Sequence, residues 1–118
     1  MGDCRNVSEQ IPFVPFRPHV IGAAITGAVP LDVGIALEFS EIMQTGLTPG
    51  DINVELIADG NPFLGTFEHW DSNTVADYRF AAAWPPANAT VQLKVLDPNL
   101  KNVEGGISKL SDPIVIVP

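Results

Sequence analysis

Two histidines, one cysteine and fourteen acidic residues carry whatever side-chain chemistry this chain of 118 residues could perform. Covalent catalysis needs a nucleophile with a base beside it, usually a histidine or a carboxylate of shifted pKa. The histidines are His19 and His69. Cys4 stands in a polar N-terminal segment, and Ser40 lies in no nucleophile-elbow pattern. A lone cysteine makes no internal disulfide. Neither a glycine-rich phosphate loop nor a zinc-type spacing of Cys and His occurs. No residue is assigned a catalytic role, no cofactor is implied, and the chain reads as a non-enzyme.

Metal binding would need converging donors. Calcium takes six to eight oxygens. Asp59, Asn61, Asp71 and Asn73 lie in neighbouring turns, and Asp97 and Asn99 in another. Such residues more often bond their own local backbone and so shape the turn, and no metal-ligand set is assigned. Trp70 and Trp84 stand at strand ends beside turns, where an exposed indole would suit carbohydrate stacking or a protein contact. With His69 they are the candidate binding residues, although packing into the core or its rim is the commoner role for tryptophan in a small β-domain. Asn6-Val7-Ser8 and Asn88-Ala89-Thr90 match the glycosylation sequon, a triplet common by chance.

The elements that must position these residues read as strands. Val33, Ile35, Leu37 and Phe39 alternate with Gly34, Ala36, Glu38 and Ser40, and period two over eight residues predicts a strand with one buried face. Ile52, Val54 and Leu56 repeat the pattern, as do Ala76, Tyr78 and Phe80, and then Val91, Leu93 and Val95. His19–Thr26 and Phe63–Trp70 are further candidates, and the apolar run 114–117 suits a strand covered on both sides or a chain end. Gly, Pro, Asn and Asp clusters separate the runs, Ala58-Asp59-Gly60-Asn61-Pro62 being the strongest turn. Ser40 is placed to cap one short helical turn over 41–45, with Gly46 ending it. Glu38, Glu55 and Asp77 fall on outward faces.

About seven short strands without crossover helices predict an antiparallel β-sandwich or barrel. Residues 1–12 read as a polar, poorly ordered leader and 13–118 as one domain. Hydrophobic residues at 46% suit a globular core, while a net charge of −8 argues against nucleic acid and anionic membrane as partners. No apolar run approaches the ~18 residues of a membrane span.

The stretch Ala28-Val29-Pro30-Leu31-Asp32, followed by Ile35-Ala36-Leu37-Glu38-Phe39-Ser40-Glu41-Ile42-Met43, resembles the opening of bacterial Ig-like domains of the surface-layer type. Asn73-Thr74-Val75 through Phe80, and Val91 to Asp97 followed by Gly105-Gly106, are similar to later strands of that family. The similarity spans residues 18–117, and Phe39-Ser40-Glu41 is its most specific part. It departs from the family in lacking the late-strand tyrosine, where Thr90-Val91-Gln92-Leu93 stands, and in having Gly105-Gly106 for a Gly-Asn pair. The resemblance implies an immunoglobulin-like Greek-key sandwich with a small helical turn after the second strand. It implies a spacer, adhesive or accessory module of a secreted or cell-surface protein, in the periplasm as an alternative, whose partner is a protein or neighbouring domain. Periplasmic copper-resistance proteins share such a sandwich and bind copper through N-terminal histidines and a late Asp-x-His. Here His19 begins the first strand, but Asp97-Pro98-Asn99 has no histidine.

Overall fold

The computed structural model describes residues 17–116. The leader 1–12, Cys4, the first sequon and Val117 lie outside the described residues. Eight strands occur among those described: β1 (Val20–Val29), β2 (Asp32–Phe39), β3 (Val54–Ala58), β4 (Asn61–Leu64), β5 (Thr66–Ser72), β6 (Val75–Phe80), β7 (Ala89–Leu93) and β8 (Ile114–Ile116). They form two four-stranded sheets, ordered β1-β2-β6-β5 and β4-β3-β7-β8, with every pairing antiparallel. The protein is an all-β sandwich.

The alternation in the sequence sets what lies between the sheets. Val33, Ile35, Leu37 and Phe39 of β2 are fully or almost fully buried, as are Ala76, Tyr78 and Phe80 of β6. Across from them stand Val54 and Leu56 of β3 and Val91 and Leu93 of β7, in the same core cluster. Each large apolar side chain taken out of water there contributes about 1.5–3 kcal/mol of transfer free energy.

The turn Asp59-Gly60 closes the β3–β4 hairpin. Both residues have positive φ, 51° and 83°, as a two-residue type I′ loop requires. The Asp59 carboxylate then accepts from the Ala87 and Asn88 amides, each at 2.9 Å, and ties the turn to the loop before β7.

Three expectations are corrected. Phe63–Trp70 is two strands in different sheets, because the chain changes sheet at Gly65. The Gly65 amide donates to the Val54 carbonyl at 2.8 Å, and a Cβ there would stand 2.6 Å from the Phe80 ring. This also explains why Phe63–Trp70 shows no clear face. No helix forms over 41–45. The Ser40 hydroxyl accepts from the His19 amide at 3.0 Å instead of capping, and Met43 pairs in an isolated bridge with Asn102. That bridge buries Met43 in the core, which a solvated helical turn would not do. Finally, Glu55 and Asp77 alternate outward as expected yet are buried, while Glu38 is exposed. The residues set beside them decide this: Asp77 stands opposite His69 and Glu55 lies 3.0 Å from Lys94 Nζ, whereas Glu38 stands opposite Gly22, which has no side chain to cover it.

The long connection after β7 is a packed loop. Asp97 accepts from the Gly50 amide at 2.7 Å, from Asn53 Nδ2 at 2.8 Å and from the Asn99 amide at 2.9 Å. Asn102 Oδ1 accepts from the Gly106 and Glu104 amides, and Leu100 enters the core.

Candidate functional site

The polar groups that converge do so on the outward face of β5 and β6. Across this pair Phe67 and Trp70 sit opposite Tyr78 and Ala76, facing the core, while His69 sits opposite Asp77. The register shifts twice, between Phe67 and His69 and again between Trp70 and Ser72. Each shift inserts one extra residue into β5, Glu68 in the first case and Asp71 in the second. Bulges of this kind re-aim side chains that a regular ladder would hold apart.

The outcome is a cluster on one imidazole nitrogen. His69 Nε2 lies 3.0 Å from Asp71 Oδ1 and 3.0 Å from Asp77 Oδ2. All three donor atoms lie within 4.8 Å of one another. The His69 side chain is 62% exposed, whereas that of Asp77 is 8% exposed. Asp77 Oδ1 is buried without a hydrogen-bond partner among the described residues. Burial pushes the Asp77 carboxyl up to about 6; a hydrogen bond to Asp71, the Asp71 charge and the Glu68 charge add to this, and His69 opposes it.

The nearest cation on the same strand is already committed. Arg79 donates from Nε to Glu68 Oε1 at 2.5 Å and from Nη1 to Asp32 Oδ2 at 2.7 Å, bridging β5 and β2. Together with Leu31, Leu64 and Thr66 these residues line an open depression of about 420 Å³. Further along the face, Gly22, Ala24, Ala36 and Glu38 line a second of about 370 Å³.

Of the sequence candidates, only His69 joins this cluster. Trp70 points to the core side. Its ring centroid lies 6.1 Å from Phe39 and 5.9 Å from Phe67, and its Nε1 donates to the Leu47 carbonyl at 3.4 Å. Trp84 is half-buried against the core, and its amide donates to the Pro30 carbonyl at 3.3 Å. His19 takes no part in the cluster. Of the turn acids, Asp59 and Asp97 bond backbone amides, as turn-forming aspartates do, while Asp71 turns to His69.

The reading of single residues missed Asp77 as a partner of His69. The spacing of His69 and Asp71, two apart, places them on one face of a regular strand. A regular hairpin closing at Asn73-Thr74 would set residue 77 opposite residue 70; the extra residue Asp71 moves the pairing by one and brings His69 opposite Asp77 instead.

The sequence matches no protein-family model and no curated protein.

Proposed function

We propose that the chain is a non-enzymatic, immunoglobulin-like module of a bacterial secreted or cell-surface protein, serving as a spacer, adhesive or accessory domain. The observation that carries this reading is the division of labour between faces. The inward faces of both sheets are spent on one apolar core, and the charged side chains stand on outward faces, edges and loops. Such a body is a rigid support whose contacts are made from outside. Connections that pass from one sheet to the other after β2, β4 and β6 support the Greek-key form of that sandwich. The similarity around Phe39-Ser40-Glu41 supports the family and the extracytoplasmic setting.

The test is cell fractionation of the parent protein in its own cells. Removal by protease from intact cells, or release by osmotic shock, is the expected result. Co-fractionation with cytosolic markers alone would overturn the setting. A ligand-binding role is a second reading, and the convergence on His69 Nε2 favours it. Its carbohydrate form draws no support from tryptophans whose rings pack on Phe39, Phe67 and the core.

A further inference from the structure

We propose that His69, Asp71 and Asp77 hold a divalent transition-metal cation on the outward face of the β5–β6 pair. This goes beyond the module reading and stands or falls without it.

The donor geometry comes first. Nitrogen and oxygen donors bind zinc at about 2.0–2.2 Å, so adjacent donors in a tetrahedral shell lie about 3–3.5 Å apart. Nε2 of His69 has both carboxylate oxygens at 3.0 Å. The arrangement depends on a bulge, because the extra residue Asp71 shifts the register of β5 so that His69, and not Trp70, stands opposite Asp77.

The second observation is independent of that spacing. The Asp77 side chain is more than nine-tenths buried, and its Oδ1 has no partner among the described residues. A buried acceptor without a donor is costly, and a buried carboxylate is ordinarily paired or bound to a metal. One Nε2–H cannot satisfy two carboxylates at once, and Arg79 is held elsewhere by Glu68 and Asp32. The cluster has surplus negative charge and acceptor capacity, which a cation would fill.

The donor types select the ion. One imidazole and two carboxylates suit zinc, copper, nickel or manganese, whereas calcium prefers an all-oxygen shell. His69 and Asp71 are exposed enough to leave the remaining coordination positions to solvent. β5 is an edge strand, so a cation there would pin the sheet margin to β6.

The competing account is a plain ion pair of protonated His69 with the two aspartates. Titration calorimetry with zinc chloride on chelator-stripped protein separates the two, with Cys4→Ser in every variant to remove the thiol. The expected result is binding of one zinc per chain and a melting temperature that climbs with the logarithm of free zinc. His69→Gln and Asp77→Asn should each weaken binding by at least about tenfold, since even outer-shell changes cost that much. Asp77→Asn keeps the side-chain shape, His69→Gln keeps a polar group at a similar reach, and β-sheet circular dichroism with the fluorescence of the two tryptophans in the absence of zinc reports that each is folded. Absence of zinc binding to the folded parent would overturn the site, as would undiminished binding by the two folded variants.

Discussion

The place a Cβ would take on Gly65 lies 2.6 Å from one ring carbon of Phe80 and 2.7 Å from another. Phe80 is 1% exposed and belongs to the core cluster. Glycine at 65 therefore lets the chain leave the second sheet and enter the first without displacing that ring. Gly65→Ala should lower stability by roughly 1–3 kcal/mol, the usual cost of overpacking a filled core. Urea denaturation gives the measure. Phe80→Leu in the Gly65→Ala background should cost less than in the parent, because the two side chains compete for one volume. Additive losses would show that the contact is relieved elsewhere.

Asp97 holds two segments that are remote from it in sequence. Its carboxylate accepts from the Gly50 amide and Asn53 Nδ2, and locally from the Asn99 amide. Asp97 itself is 2% exposed. Asp97→Ala removes the acceptor of three donors and should cost roughly 1–3 kcal/mol, since a buried unsatisfied group costs about that much and water can reach part of these half-buried and exposed donors. Asp97→Asn keeps the shape and one acceptor oxygen, so its loss should be smaller. Equal midpoints for the two variants in denaturant would contradict this account.

The Asp59-Gly60 turn was legible in the sequence, and its energetics follow from its dihedrals. Gly60 has φ of 83°, and a Cβ added to it would meet nothing within 4 Å, so Gly60→Ala meets backbone strain alone. The expected loss is about 1 kcal/mol. Asp59→Ala adds the loss of three hydrogen-bond contacts to the amides of Ala87 and Asn88. It should cost more than Gly60→Ala, and Asp59→Asn should fall between the parent and Asp59→Ala. Thermal melts of the three variants check the order.

What could be read from residues alone was whatever obeys period two or local turn chemistry. The apolar rows of β2, β6 and β7 and the turn at Asp59-Gly60 belong to that class. Strand order does not. Glu38, Glu55 and Asp77 all occupy outward positions on strands with two neighbours, and the residues across from them, His69 for Asp77 and Gly22 for Glu38, decide which are buried. The change of sheet at Gly65 was hidden because glycine also marks turns, and the clash that demands it comes from Phe80 in another strand. Ser40 looked like a helix cap, yet its acceptor is used by His19, which lies 21 residues earlier. His69 stood among the candidates. Its partner Asp77 was obscured because bulges at Glu68 and Asp71 leave no mark in the hydrophobic pattern.

Tyr78 is the chain's one tyrosine, so tyrosinate absorbance reports on it alone. The residue is fully buried, and its hydroxyl has no hydrogen-bond partner among the described residues. Burial pushes the phenol far above the ordinary range for tyrosine, and the charge of Asp97 adds to the shift. In the unfolded chain the same group ionises near pH 10. Because the folded pKa is the higher one, the folded state holds the proton longer. This group's contribution to stability is thus complete below about pH 10 and is lost as the pH rises beyond it. The expected slope is a loss of up to about 1.4 kcal/mol per pH unit above that point. Tyrosinate absorbance should then appear together with the loss of β-sheet circular dichroism. Tyr78→Phe should remove this part of the alkaline slope at little cost in stability near neutrality, since the deleted hydroxyl made no bond among the described residues. Tyrosinate forming near pH 10 while the circular dichroism stays native would show that the phenol has access to water.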